Sequence, residues 1–242
     1  DVTYHYPGGV TAVEALTFTI NVGEAVSIVG PNGSGKTTLV KLALGLLKPA
    51  CGSIRLLGEA PEHACRRAGY VPQIARFDAA FPIRCADVVR MGCLGVQGAG
   101  RGLKATGADV TAALERVGCA DLARRPFARV SGGQRQRVLI ARALIGQPEV
   151  VFLDEPTNHI DPDGETRIRD VLRELRAAMT VITVTHDLNF VAAEVEKVVC
   201  VDRTAHLHPT SALADGLQAH LFNRAVSIVR HDECLTHGQQ CH

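Results

Sequence analysis

The amino-acid sequence predicts an α/β fold with a mostly parallel sheet, a small N-terminal antiparallel β subdomain and an inserted helical subdomain. Three features predict it: short apolar runs of β-favouring residues, an amphipathic helix between two of them, and a long segment with few strand signals. We expect one domain over residues 1–242, with the helical insertion at about 74–140 and a His/Cys-containing C-terminal tail at about 205–242.

Four short apolar runs are the expected strands of the parallel sheet. Each has about four β-favouring residues that do not alternate with polar ones, which is typical of strands buried on both faces. The runs cover residues 26–29, 150–153, 181–184 and 198–201. Between the second and third runs, an apolar stripe at helical spacing consists of Ile168, Val171, Leu172 and Leu175. The order strand, helix, strand indicates parallel crossover connections.

Two regions depart from this plan. Residues 2–25 and about 51–58 are short alternating pieces broken by glycines, which indicates a small antiparallel sheet. Residues 74–130 carry a glycine-rich patch and then a helical stretch at 109–117, which indicates a helical insertion with a mobile loop. The chain contains no internal repeat, so we expect a single nucleotide-binding unit.

The composition limits the function. With 46% hydrophobic and 21% charged residues and a net charge of +1, the chain is globular and has no basic field, so nucleic acid is not an expected partner. The 8 cysteines are spread thinly and indicate reduced thiols. No apolar run approaches the roughly 20 residues that span a bilayer, and the start does not resemble a secretory signal. These features predict a soluble chain of the cytosol.

A phosphate-binding loop follows the first apolar run. It fits the pattern G-x-x-x-x-G-K-[ST] and consists of Gly30, Pro31, Asn32, Gly33, Ser34, Gly35, Lys36 and Thr37, after which a helical stretch starts at Thr38. Glycines let successive backbone N–H groups point at phosphate oxygens, and the helix N-terminus adds partial positive charge. Lys36 is expected to bridge the β- and γ-phosphates, and the Thr37 hydroxyl to ligate Mg²⁺. This predicts a P-loop NTPase core.

The acidic pair Asp154 and Glu155 ends the second apolar run. A carboxylate at the end of a buried strand is costly unless a cation meets it, so Asp154 is expected to hold Mg²⁺. Glu155 is then placed to accept a proton from an attacking water.

Between these two halves lies the turn Ser131, Gly132, Gly133 and Gln134, followed by a helical stretch. With the phosphate loop before it and the acidic strand after it, the chain resembles the ATP-binding cassette family from Tyr6 to about Val201. The resemblance implies a head-to-tail dimer that encloses two ATP molecules. In such a dimer, the Ser131 turn closes on the γ-phosphate held by the other copy.

The resemblance also implies roles for four further residues. Tyr6 would stack on adenine, although Tyr4 is an alternative. Gln73 would contact Mg²⁺ and the attacking water. Asp161 would lie at the dimer interface, and His186 would lie near the γ-phosphate as a switch.

Finer likenesses concern the transported substrate. Several segments are similar to the subgroup that imports zinc, manganese or iron into bacteria. They are 69–73, 77–78, 81–83 and 87–92, and 198–203 leading into 206–209. This implies integral membrane permease subunits, an extracytoplasmic metal-binding protein, and a place on the cytoplasmic face of the inner membrane.

Several alternatives stay open. The substrate could be an iron chelate, or the chain could be a cassette ATPase of cytosolic assembly; the turn at Ser131 and the acidic pair argue against a P-loop kinase. The tail is either a metal site or a polar surface. It is rich in potential ligands after residue 205, namely His206, His208, His220, His231, Cys234, His237, Cys241 and His242.

Overall fold

The computed structural model describes residues 1–73, 81–96, 105–158, 160–186 and 195–210. Its strands are β1 (Val2–His5), β2 (Thr11–Leu16), β3 (Ala25–Val29), β4 (Ala68–Val71), β5 (Val150–Asp154), β6 (Thr180–Val184), β7 (Lys197–Asp202) and β8 (Thr204–Pro209). Its α-helices are α1 (Lys36–Ala43), α2 (Pro61–Ala64), α3 (Cys85–Arg90), α4 (Gly107–Arg116), α5 (Gly132–Leu144) and α6 (Pro162–Arg176).

A six-stranded sheet with the order β4-β5-β6-β3-β7-β8 forms the centre of the fold. The first five strands run parallel, and β8 pairs antiparallel with β7 at the edge. The four apolar runs are the strands β3, β5, β6 and β7, and α6 carries the predicted apolar stripe between two of them. The predicted α/β class and mostly parallel sheet are thus confirmed.

Strands β4 and β8 were not predicted. Strand β4 is only four residues long and includes Gly69, where a Cβ atom would lie 2.7 Å from the carbonyl oxygen of Ala143. Strand β8 alternates small or polar with apolar residues, as an edge strand does, and it occupies positions that the sequence reading assigned to the tail. The prediction therefore missed the two strands at the ends of the described sheet order.

The N-terminal antiparallel layer is smaller than expected. Strands β1 and β2 pair antiparallel as predicted. Residues 51–58, expected to join this sheet, form only isolated bridges, Thr3 with Cys51 and Leu56 with Glu59. Turns at Gly52 and Gly58, both with positive φ, interrupt the segment before a ladder can form.

The insertion between β4 and β5 is helical where the structure describes it. It contains α3, α4 and short 3₁₀ turns at Met91–Val96, Ala120–Leu122 and Phe127–Arg129, and it leads into α5. The helix expected at 109–117 is α4, which begins earlier because Thr106 and Asp109 form a capping box. The rest of the glycine-rich patch and residues 77–78 lie outside the described residues.

The sheet separates two apolar cores. In the first core, the sheet face that carries Val71, Leu153 and Val181 packs against α3, α4, α5 and α6. In the second core, the opposite sheet face, which carries Ile28, Phe152 and Val199, packs against α1 and the β1–β2 layer. A mainly apolar cavity of about 550 Å³ lies in the second core, away from the phosphate loop.

A buried arginine joins two helices of the insertion. Arg137 of α5 donates hydrogen bonds of 2.9 Å to the carbonyl oxygens of Val117 and Gly118, just past the last turn of α4. It thereby satisfies acceptors that the end of a helix leaves open.

The cysteines within the described residues are free thiols, and four of them are buried: Cys85, Cys93, Cys119 and Cys200. Burial raises the pKa of the Cys200 thiol to about 11, so it stays protonated at neutral pH. Among the helices that the structure describes, none combines the length and the apolar character that crossing a membrane requires.

Candidate active site

The phosphate loop lies between the carboxyl end of β3 and the start of α1, and the backbone of β2 and β7 leaves no room for a side chain at two of its positions. A Cβ atom at Gly35 would lie 2.4 Å from the carbonyl oxygen of Ala12, and φ there is 103°. A Cβ atom at Gly30 would lie 2.1 Å from the carbonyl oxygen of Val201. Only glycine fits at both positions, so the loop's path is fixed by close backbone contact.

The turn between β7 and β8 holds this loop from behind. The backbone N–H of Arg203 donates to the carbonyl oxygen of Ser34 at 3.2 Å, and the Arg203 carbonyl accepts from the N–H of Glu14 at 2.8 Å. One residue of the turn thus connects β2 to the phosphate loop.

Lys36 is buried and ordered at the start of α1. Its ammonium group donates to the carbonyl oxygens of Gly30 and Pro31, both at 2.8 Å. Burial lowers the pKa of Lys36, and the negative charges of Glu155 and Asp154 oppose that effect. The cation is therefore held over the loop by the loop's own backbone.

Asp154 lies at the end of β5, next to the first turn of α1. The Thr37 hydroxyl donates to its Oδ2 at 2.9 Å, while its Oδ1 is buried without a hydrogen-bond partner among the described residues. Burial raises the pKa of this carboxyl group, against the hydrogen bond from Thr37. An unsatisfied carboxylate oxygen beside a hydroxyl is a donor set that fits a hard divalent cation such as Mg²⁺.

Glu155 and His186 form a pair at the carboxyl ends of β5 and β6. The imidazole Nδ1 lies 2.9 Å and 3.0 Å from the two carboxylate oxygens, so its N–H can donate to either. The Glu155 side chain is 7% exposed and that of His186 is 55% exposed. The backbone N–H of Glu155 donates to the carbonyl oxygen of Val184, which ties the pair to β6.

Lys36, Thr37, Asp154 and Glu155 border a cavity of about 460 Å³, and His186 is absent from its described lining. The predicted residues that line it are Tyr6, Asn32, Gly33, Gly35, Lys36, Thr37, Thr38, Gln73, Asp154 and Glu155. The Tyr6 hydroxyl lies 3.0 Å from the Thr38 hydroxyl. Tyr4 packs edge-on against Tyr6, with ring centroids 5.1 Å apart, and contacts the second core, so Tyr6 is the aromatic at the cavity.

Three lining residues were missed by sequence reasoning, namely Val10, Thr11 and Ala12. They belong to the β1–β2 turn and the start of β2, and no motif marks them. The antiparallel pairing of β1 and β2 places their turn beside the phosphate loop. Only that pairing could have indicated these three residues.

The predicted residues Ser131, Gly132, Gly133, Gln134 and Asp161 are absent from the described lining of that cavity. They form a second cluster at the N-termini of α5 and α6. The Ser131 hydroxyl accepts from the Gln134 N–H, and the Gln134 side chain accepts from the Ser131 N–H, which makes a capping box. Asp161 caps α6 by accepting from the Gly164 N–H at 3.2 Å.

The chain is similar to known proteins. Residues 13–158 match the family described as ABC transporter. A Chlamydia pneumoniae protein named "Probable metal transport system ATP-binding protein" is 40% identical over 219 residues, covering 88% of each chain. The zinc import ATP-binding protein ZnuC of Yersinia pestis is 36% identical over 190 residues, covering 78% of this chain and 69% of that protein.

A solved structure extends the likeness to three dimensions. The dimeric post-hydrolysis state of the ATP-binding cassette MJ0796, bound to ADP and Pi, has a TM-score of 0.72 and 26% identity, covering 86% of this chain and 95% of that one. The phosphate loop, the acidic strand end and the capped turn at Ser131 lie within residues 13–158, which match the family. The chain belongs to the ABC transporter family and is an ATPase of that family.

Proposed function

We propose that this chain is the ATP-hydrolysing subunit of a transporter that imports a divalent transition metal, namely zinc, manganese or iron, across a bacterial inner membrane. The observation that carries the hydrolytic part is the single cavity in which Lys36, Thr37, Asp154 and Glu155 converge. The names of the two relatives above support the metal part.

Phosphate binding follows from the loop. An ATP molecule in the cavity would place its phosphates at the N-terminus of α1, where free backbone N–H groups and the Lys36 ammonium are donors. Tyr6, at the cavity edge and 38% exposed, is placed to contact the base.

Thr37 and Asp154 are the residues that would hold Mg²⁺, with Gln73 at the cavity edge as a further contact. When bound, the ion would neutralise charge on the phosphate oxygens. Its positive charge would also stabilise the buried Asp154 oxygen that has no described hydrogen-bond partner.

Glu155 is the proposed proton acceptor. Its carboxylate borders the cavity, and the His186 N–H fixes its orientation. A water between Glu155 and the γ-phosphate would lose its proton to the carboxylate as it attacks. His186 positions Glu155 through this hydrogen bond.

Dimerisation would complete the site. The cluster at Ser131 and Asp161 lies outside the described lining of the nucleotide cavity. In a head-to-tail pair, the Ser131 turn and the N-terminus of α5 would face the γ-phosphate of the partner copy. Loss of that phosphate would remove contacts made only in the closed pair and release it.

The membrane partners follow from the proposed transport. We expect integral permease subunits, an extracytoplasmic metal-binding protein and a position on the cytoplasmic membrane face.

Dimerisation can be tested by sedimentation of the Glu155→Gln variant with saturating MgATP. We expect a dimer, and we expect Ser131→Arg added to the same variant to return it to monomer while nucleotide binding persists. A Glu155→Gln chain that stays monomeric, even with its permease, would refute the closed-pair mechanism.

Substrate identity can be tested in vesicles that contain the chain with its permease subunits, and with the metal-binding protein outside. Uptake of Zn²⁺, Mn²⁺ and Fe²⁺ with ATP inside is compared with uptake of a ferric chelate, and Glu155→Gln is the inactive control. Chelate uptake without ion uptake would overturn the metal-ion assignment and leave the ATPase assignment intact.

A further inference from the structure

We propose that His206 and His208 form a binding site for a divalent transition-metal ion on the exposed face of the edge strand β8. The two histidines are not among the residues that line the nucleotide cavity. The proposal does not depend on the proposed transport function, because it concerns metal binding to the isolated chain.

The strand geometry brings the two imidazoles together. His206 and His208 are two positions apart on β8, so their side chains project from the same face. Their ring centroids are 6.3 Å apart with an interplanar angle of 43°. Side-chain rotation can bring one nitrogen of each ring to about 2.0–2.1 Å from a shared ion, the usual zinc–imidazole distance.

Both rings are accessible because β8 is the last strand of the sheet. His206 is exposed and His208 is partly exposed, whereas Ala205 and Leu207 turn towards the second core. Across β7, His206 pairs with Cys200 and His208 with Val198, and both of these are buried. The Cys200 thiol lies below the surface and stays protonated, so the exposed donors at this point are the two imidazoles.

The surrounding charges favour a cation. Asp202 is two positions from Cys200 on β7, so the two residues lie on the same face of the sheet. Asp202 therefore adds a carboxylate to the face that carries the histidines, at the turn end of the hairpin. Lys197 has the opposite parity and forms an ion pair with Glu24. No described cation on β7 therefore shares the histidine face.

The chemistry indicates an open site. Neutral imidazoles suit zinc, copper, nickel and iron, and not the hard cations that bind with ATP. Within the described residues no group of three or more His, Cys, Asp or Glu side chains is arranged to hold a metal, so water would fill the remaining positions. Two protein ligands make this an exchangeable site and not a structural one.

The test is a Zn²⁺ titration of the nucleotide-free, reduced full-length chain by calorimetry. To remove competing ligands, the tail residues His220, His231, Cys234, His237, Cys241 and His242 are first replaced by serine. In this background, His206→Gln with His208→Gln is expected to weaken Zn²⁺ binding at least about tenfold. The matched control replaces two other exposed histidines, His5→Gln with His63→Gln, and is expected to bind like the parent.

A second readout locates the ion directly. Zn²⁺ should protect His206 and His208, and leave His63 unprotected, against carbethoxylation followed by mass spectrometry. If the double variant binds Zn²⁺ with parental affinity, or if Zn²⁺ protects neither residue, the proposal is wrong. ATP hydrolysis is not part of either measurement, so failure here is distinct from failure of the proposed function.

Discussion

At the scale of the residue, Glu155 combines strain, burial and a specific partner. Its φ of 51° lies in the left-handed region, which costs a non-glycine residue roughly 1–2 kcal/mol. The rest of the site holds it there, through the Val184 carbonyl and the His186 ring. Such strain is often kept where a side chain must be aimed.

We therefore expect Glu155→Gln to bind ATP but to hydrolyse it slower by a factor on the order of 10², since the amide cannot accept the proton of the attacking water. Phosphate release at saturating ATP, with nucleotide affinity measured in parallel, checks this. Hydrolysis at the parental rate would remove Glu155 from the proposed mechanism.

A second residue-scale prediction concerns Asp154. Its pKa is raised by burial, so folding penalises its charged form at neutral pH. Asp154→Asn removes that charge and keeps the shape, and we expect it to raise the nucleotide-free melting temperature.

The same Asp154→Asn chain should gain less stability from MgATP than the parent, because a ligand of the proposed cation is lost. Glu115→Gln is a suitable comparison, since it removes the charge of an exposed carboxylate that is not in the described cavity lining. A lower melting temperature for the nucleotide-free Asn variant would contradict the account of Asp154.

Sequence reasoning worked best at this scale. The residues that line the cavity from the loop and from β5 follow from a contiguous motif and a strand end, and both are local signals. The choice between Tyr4 and Tyr6 depended on how far β1 extends before its turn, which no local signal gives.

At the scale of the element, α5 and α6 meet at their N-termini through two glycines. A Cβ atom at Gly133 would lie 3.1 Å from the Gly164 Cα, and one at Gly164 would lie 2.6 Å from the Ile160 side chain and 3.0 Å from the Asp161 carboxylate. The caps of both helices therefore lie in direct backbone contact.

Gly164→Ala tests this contact. Alanine favours a helix by up to about 1 kcal/mol over glycine, but here the methyl group must displace Ile160 or the Asp161 cap. We expect Gly164→Ala to lower the free energy of unfolding relative to Gly107→Ala, the control in the first turn of α4, where a Cβ atom meets nothing within 4 Å. Urea unfolding measures both, and equal stabilisation by the two variants would show that the contact tolerates a methyl group.

The elements also show where prediction from sequence fails. Runs of about four buried, mostly apolar residues marked β3, β5, β6 and β7, because burial on both faces favours such composition. Strand β4 has no such run, since Gly69 must make room for α5, and β8 exposes one of its faces. Both exceptions arise from tertiary contacts.

At the scale of the whole molecule, an ion pair joins distant parts of the chain. Glu24, just before β3, pairs with Lys197 at the start of β7. The hydrogen bond from Lys197, with a second from Asn21, lowers the pKa of Glu24 to about 2. Since the folded-state pKa lies below the ordinary value of 4.5, the pair stabilises the fold above that pH and loses its effect as pH falls towards 2.

Glu24→Gln should therefore reduce the free energy of unfolding at pH 7, and the difference from the parent should shrink as the pH is lowered from 4.5 towards 2. Urea unfolding at a series of pH values measures this, with Glu115→Gln as an exposed control whose side chain has no ion-pair partner among the described residues. A Glu24→Gln deficit that is constant across this pH range would show that the carboxylate charge is not the cause.

The ordered ammonium of Lys36 has a consequence for the whole fold. Immobilising a lysine side chain costs roughly 1.5–2 kcal/mol of rotamer entropy. Here two main-chain oxygens already hold the lysine side chain, so its rotamer entropy is lost when the chain folds and not when the nucleotide binds. An incoming triphosphate would replace those carbonyl oxygens as the partner of the Lys36 ammonium. Its affinity benefits because the lysine is already in position, and the nucleotide-free chain is correspondingly less stable.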